Sequence, residues 1–255
     1  MSATSDYAIE TDGLTRRFAD FVAVDQVTLK IPKGHLYGFL GLNGAGKTTT
    51  IRMLTTLLPP SKGTAKLWGR DVIKEPLAVR SLVGLVSDET SESQPTWTAR
   101  EYLSYFARIR RLPNPADEVE RILEDVGLDR KFRGKLIGIY STGMKRRVEI
   151  ARALMGRPKV LFLDEPTRGL DLPAKRDMWS LLRRLAANEN VTTFLSSHDA
   201  QEIRSLCSEI SVIAKGRVVY TGATQQLGAD IDAFEERLVE LLTQSESVET
   251  TAFRS

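Results

Sequence analysis

The chain has 255 residues, 36 Lys and Arg against 33 Asp and Glu, and 42% hydrophobic residues, a globular composition that excludes a disordered or fibrous protein. The length suits one large domain or two small ones, and the single cysteine, Cys207, excludes an intramolecular disulfide and fits a reducing cytosol. The longest apolar run, Leu36–Leu42, is far short of the roughly 18–20 residues of a membrane helix, and the first six residues lack the basic and apolar parts of a signal peptide. The expectation is a chain with no direct membrane insertion and no export by that route.

Charge is unevenly spread. Residues 229–255 hold seven acids and two bases, whereas residues 97–160 hold fifteen bases and eight acids. A basic subdomain can meet nucleic acid, anionic lipid or an acidic partner, or simply be a solvated helical surface.

In chain order, residues 8–31 read as two strands, with Val22, Val24, Val27, Leu29 and Ile31 partly alternating before Pro32-Lys33-Gly34. Leu36–Leu40 reads as a buried strand entering a glycine-rich loop, and Thr48–Leu58 as a helix stopped by Pro59-Pro60. Short strands are expected at Thr64–Trp68 and Val83–Val86. Residues 98–156 show helical periodicity with interruptions at Leu112–Pro115 and Gly134–Gly138. Beyond them come a strand at Val160–Leu163, a helix at Pro173–Ala187, a strand at Val191–Ser196 and a helix at Ala200–Leu206. Strands near Ser211–Ala214 and Val218–Tyr220 follow. Strands alternating with helices imply an α/β fold with a mostly parallel sheet, to which an N-terminal antiparallel β subdomain and an inserted helical subdomain are added. Residues 230–243 suggest a final amphipathic helix with Phe234, Leu238, Leu241 and Leu242 on one side, and 244–255 a mobile polar tail. There is no internal repeat.

Gly41-Leu42-Asn43-Gly44-Ala45-Gly46-Lys47-Thr48 matches G-x-x-x-x-G-K-[ST] between an apolar strand and a helix, the context a phosphate loop requires. Glycines let backbone N–H groups curl around phosphate oxygens, and the helix N-terminus adds positive potential. Lys47 can reach the β- and γ-phosphates and the Thr48 hydroxyl can ligate Mg²⁺; Thr49 closes the candidate nucleotide-binding stretch. Downstream, the strand Val160–Leu163 ends in Asp164-Glu165. A carboxylate at the end of a central parallel strand sits where α/β ligands bind. Asp164 can hold Mg²⁺, and Glu165 can orient or deprotonate an attacking water.

The order of motifs resembles the ATP-binding subunits of ABC transporters, over most of residues 8–227. Tyr140-Ser141-Thr142-Gly143-Met144 resembles the family signature, Arg168-Gly169-Leu170-Asp171 the loop after the second acidic motif, and Ser197-His198-Asp199 the switch histidine. Lys215-Gly216-Arg217…Gly222 resembles the family's closing pattern. The nearest resemblance is to two-gene ABC-2-type export systems, in which a short ATPase serves a separate membrane protein. The resemblance implies a P-loop ATPase domain over residues 6–229 with a helical insertion at about 90–156, using ATP and Mg²⁺ and powering transport through an integral membrane permease. It implies two ATP molecules held between head-to-tail subunits, in a homodimer or heterodimer. Ser141 and Gly143 then touch the partner's ATP, and Asp171 links the two sites. Glu165 polarises water, His198 senses or stabilises the γ-phosphate, and Phe18 stacks on adenine. It also implies a place at the inner face of the cell membrane.

Three positions depart from the family pattern. Asp88 stands for the usual glutamine that touches Mg²⁺ and water; a carboxylate can still accept from water or ligate Mg²⁺. Thr142 and Met144 replace a glycine and a glutamine, while Ser141 and Gly143 remain. Phe18 replaces the commoner tyrosine, and stacking needs only the ring face. The competing reading is a soluble ABC-type ATPase acting on ribosomes or nucleic acid. It is less favoured because such chains carry tandem cassettes or long coiled-coil insertions. Trp97, after Pro95-Thr96, is either an exposed anchor for the membrane partner or a side chain packing the first inserted helix.

Overall fold

The computed structural model describes residues 6–87, 95–187 and 191–252, with 244–252 as backbone alone. The chain opens with the hairpin β1 (Tyr7–Phe18) and β2 (Phe21–Pro32), followed by β3 (Leu36–Leu40), the glycine-rich loop and α1 (Lys47–Leu54). Next come β4 (Lys62–Leu67), β5 (Arg70–Asp71), α2 (Pro76–Leu82) and β6 (Val83–Val86). The insertion contributes α3 (Ala99–Ile109), α4 (Pro115–Asp125), α5 (Arg130–Arg133) and α6 (Thr142–Leu154). The core resumes with β7 (Val160–Asp164), α7 (Leu172–Ala186), β8 (Thr192–Ser197), α8 (Ala200–Leu206), β9 (Glu209–Ala214), β10 (Arg217–Ala223) and α9 (Ile231–Ala252).

Two sheets form. An antiparallel one runs β2-β1-β4-β5, and a six-stranded one runs β10-β9-β3-β8-β7-β6. In the latter, β6, β7, β8, β3 and β9 are parallel neighbours and only β10 is antiparallel. Every residue of β3, β7 and β8 is buried, as expected of central strands covered on both faces. Phe194 lies between Phe39 and Phe162, at centroid distances of 5.2 and 5.4 Å. Burying each such ring is worth about 1.5–3 kcal/mol. This pins side by side the three strands whose ends carry the loop, the acidic pair and the histidine.

The inserted helices start where the sequence supplies caps. Thr98 and Glu101 form a reciprocal capping box at α3, and Pro115 opens α4. Ser141, Asp171 and Asp199 each accept an N–H of the first turn of α6, α7 and α8. Several details differ from the sequence expectations, among them the short strand β5 and a further break in the insertion between α4 and α5. Helix α1 stops at Leu54, short of Leu58, because Thr56 turns to φ 64 and the Leu57 and Leu58 amides both fold back on Arg52 O. The short helix α2 was not anticipated. The last helix continues past residue 243 to Ala252, and no glycine or proline lies in 230–252 to stop it. Phe234, Leu238 and Leu241 of α9 join the larger apolar core, with Leu242 packed against it.

Candidate nucleotide site

The loop between β3 and α1 has the backbone a phosphate cradle needs. Gly44 and Gly46 take φ 79 and 108. A Cβ on Gly41 would fall 2.4 Å from Ile213 O, and one on Gly46 would fall 2.6 Å from Ala23 O. These two glycines therefore let the loop lie against β9 and β2. The closing pattern has a matching role. Gly216, at φ 81 in the β9–β10 turn, donates its N–H to Ala45 O at 2.9 Å, and its own Cβ would meet Ala23 O. Arg217 pairs with Asp25 and locks that turn to β2.

Lys47 is buried, and its Nζ donates to Gly41 O at 2.7 Å and Leu42 O at 3.2 Å. It also lies 3.0 Å from Glu165 Oε1. That oxygen makes no aligned hydrogen bond, so the contact is an ion pair and the oxygen keeps its acceptor capacity. The other Glu165 oxygen, Oε2, meets His198 Nδ1 at 2.7 Å, and the imidazole is 44% exposed. Glu165 takes the left-handed φ 51, which aims its side chain back toward the loop, and its N–H bonds to Ser196 O. Thr48 Oγ1 donates to Asp164 Oδ2 at 2.7 Å, and the Ser196 hydroxyl donates to Oδ1. The Gly41 N–H reaches Ser197 O at 3.2 Å. The ends of β3, β7 and β8 thus converge, as α/β sites do at the carboxyl ends of parallel strands.

Thr48, Asp164, Lys47, Glu165 and His198 therefore form one constellation. Other expected residues stand apart. Ser141 is exposed at the start of α6 with its hydroxyl accepting Met144 N–H, and a Cβ on Gly143 would meet only Ala174 Cβ at 3.7 Å. Neither is among the partners of Lys47, Asp164, Glu165 or His198 in the described residues. Asp171 caps α7 through Ala174 N–H at 2.9 Å. Phe18 sits at the hairpin tip, paired with Phe21, 40% exposed and with the Arg16 guanidinium 4.5 Å from its ring centre. It reaches the loop only through the hairpin, where Arg16 pairs with Val24, and Val24 lies against Gly46. Asp88 lies outside the described residues. Sequence reasoning missed Ser196, whose hydroxyl and carbonyl hold both acids; it was read as part of a strand. The signal for it was the polar pair Ser196-Ser197 directly after the apolar Phe194-Leu195 and before His198.

The hydroxyl and carboxylate oxygens of Thr48 and Asp164, already 2.7 Å apart, are the hard donors Mg²⁺ takes. Among the described residues, no group of three or more His, Cys, Asp or Glu could hold a metal on its own.

Fold and site together define a phosphate-loop nucleotide-binding domain. The sequence matches the ABC transporter family over residues 24–168. It is 38% identical to the bacitracin transport ATP-binding protein of Bacillus licheniformis over 211 residues, covering 83% of this chain and 68% of that one. It is 39% identical to a Nod factor export ATP-binding protein of Burkholderia lata over 221 residues, covering 86% and 72%. The structure of cbiO1 from Clostridium perfringens, described as part of the ABC transporter complex cbiONQ, superposes with a TM-score of 0.82. It is 26% identical and covers 96% of this chain and 100% of that one. The chain belongs to the ABC transporter family and is one of its ATP-binding ATPases.

Proposed function

We propose that this ATPase powers export through a separate membrane permease, with ATP closing two subunits head to tail. The observation that carries the hydrolytic part is the Lys47–Glu165–His198 chain beside the Thr48–Asp164 pair. Residues 6–229 are the ATPase domain, with the helical insertion at about 90–156. The Gly41–Thr49 amides and Lys47 bind the phosphates, and Phe18 offers a ring face to adenine. Thr48 and Asp164 hold Mg²⁺, with Asp88 a further candidate oxygen. When bound, the ion neutralises charge on the β- and γ-phosphate oxygens. Glu165 Oε1, which has acceptor capacity to spare, orients and deprotonates the attacking water. His198 holds Glu165 in place and faces the γ-phosphate. Transport and export in the names of the relatives favour this reading over one on ribosomes or nucleic acid. No helix among the described residues is long and apolar enough to cross a membrane, so the permease supplies the membrane path and holds this subunit at the inner face.

Ser141 and Gly143 stand away from Lys47 in their own chain, which supports a site completed by a second subunit. The Gly143→Asp variant tests this. Its Cβ meets only ordinary contact within the chain, so the protein is expected to fold and to bind ATP. The new carboxylate faces the partner's phosphates, and turnover is expected to fall on the order of 100-fold or more. Undiminished turnover would remove the shared site.

Trp97 is half-buried. It packs against the core and edge-on to Tyr105 at 5.5 Å, and it also lines a groove of ≈ 630 Å³ with Arg100, Ser104 and Arg108. The packing supports the reading in which Trp97 holds the first inserted helix to the core, and its place on the groove leaves the anchor reading to be tested. The groove suits a helix of the permease, with Trp97 as its aromatic anchor. Trp97→Ala is expected to weaken permease binding by about 2 kcal/mol while leaving basal hydrolysis in place. Unchanged co-purification with the permease would take Trp97 off the coupling surface.

A further inference from the structure

Glu202 of α8 is fully buried and has no part in the site described above. Its Oε2 accepts the Ser197 hydroxyl at 2.6 Å and its Oε1 the Trp179 indole N–H at 3.1 Å, with Thr167 as a third side-chain partner. Burial raises its carboxyl pKa, and these hydrogen bonds offset only part of that effect. A carboxyl so placed is costly unless each lone pair is used.

The three donors come from three pieces of the nucleotide site. Ser197 precedes His198, Thr167 is two residues past Glu165, and Trp179 belongs to α7, which Asp171 caps. Ser197 carries further load: its hydroxyl accepts Asp199 N–H at 3.0 Å and its carbonyl accepts Gly41 N–H at 3.2 Å. A second tie runs alongside. The Lys175 ammonium of α7 is paired with the Asp199 carboxylate, which also accepts Glu202 N–H at 2.9 Å. Burial pushes the Asp199 carboxyl up, but the Lys175 and backbone hydrogen bonds outweigh it and leave its pKa below the usual value. His198 itself is nearly half exposed, and among the described residues its ring bonds only to Glu165. Its aim therefore depends on how firmly residues 197–199 are held.

We propose that Glu202 and Lys175 are positioning residues for hydrolysis. They clamp the Ser197–Asp199 turn to α7 and to the turn after Glu165, and thereby hold the His198 ring on Glu165. This rests on the roles given above to Glu165 and His198. It goes beyond them in making helix α7, whose Ala174 Cβ would lie 3.7 Å from a Cβ placed on Gly143, part of the support for the histidine.

The chain has only two histidines, so the His198 ring signals can be followed directly by ¹H–¹³C correlation NMR, with His35→Gln providing the assignment. In Lys175→Met, a change at a largely buried but not core side chain, the His198 signals are expected to shift and broaden while those of His35 stay put. The kcat is expected to fall about tenfold with KM for ATP nearly unchanged, and Lys175→Arg is expected to restore both. Glu202→Gln is expected to act in the same direction, because an amide cannot accept from all its donors at once. If Glu202→Gln does not fold, Lys175→Met still decides. Unmoved His198 signals in Lys175→Met, or a kcat loss that merely follows the folded fraction, would overturn the proposal. Absence of turnover in the wild type would instead fail the hydrolytic reading, and the NMR measurement would still judge the clamp.

Discussion

Glu165→Gln is expected to keep ATP bound and nearly stop its hydrolysis. The amide has the same shape and tolerates the same left-handed backbone, so the turn after β7 should persist. What disappears is a base: an amide does not take a proton at neutral pH, and loss of a positioned general base costs typically 10²–10⁴-fold, so kcat should drop by about that factor. The ion pair adds a second consequence. Glu165 Oε1 lies 3.0 Å from Lys47 Nζ, so it competes for the ammonium with any arriving γ-phosphate and adds negative charge beside it. A neutral glutamine removes both effects, and ATP affinity should rise rather than fall. With ATP held and not hydrolysed, the two subunits should remain together. Nucleotide titration, single-turnover kinetics and size measurement with Mg-ATP read the three outcomes separately. Wild-type turnover would dismiss Glu165 as the base, and a persistent monomer with ATP bound would dismiss the shared site.

The parts of this site that were legible in the sequence are those written in contiguous residues. Strand Leu36–Leu40, the loop from Gly41 to Thr48 and the acids after Val160–Leu163 each carry their own local pattern of apolar run, glycine spacing and carboxylate. The caps at Thr98, Ser141, Asp171 and Asp199 are local too, but the sequence reading did not single them out as caps. What could not be read is the set of bonds made across the sheet. Glu165 reaches Lys47 and His198, Asp164 is shared by Thr48 and Ser196, and Glu202 gathers Ser197, Thr167 and Trp179. The partners of Glu165 and Asp164 are separated by 32 residues or more and meet because β3, β8 and β7 lie side by side, whereas Glu202 reaches Ser197 five residues back and Trp179 on α7 through the packing of two helices. Helix α2 was missed for a different reason. It is one short, half-exposed stretch with Val79 its only buried residue, so it has almost no apolar periodicity to detect. The early end of α1 reflects a left-handed Thr56, a conformation no sequence rule favours for threonine.

Lys47→Ala is expected to damage ATP binding and stability by separable amounts. The ammonium is the charge-assisted donor to the phosphates, and its loss should weaken ATP binding by about 1.5–3 kcal/mol. It also serves the protein itself. Without it, Gly41 O and Leu42 O lose a donor and the largely buried Glu165 loses its positive partner. A charge stripped of its partner in such a place is destabilising by about 3–5 kcal/mol when fully buried, and His198 and the partial exposure of this carboxylate should hold the cost below that. The double variant Lys47→Ala/Glu165→Gln separates the two effects. Removing the stranded charge should recover most of the lost thermal stability while leaving ATP binding weak, since no cation has been returned to the loop. Denaturant melts and nucleotide titrations on the two single variants and the double variant complete the cycle. If the folded Lys47→Ala protein binds ATP as tightly as the wild type, the phosphates do not lie on this loop. If the double variant is no more stable than the single one, the Lys47–Glu165 pair has no structural weight and the early competition between Glu165 and ATP for the lysine falls with it.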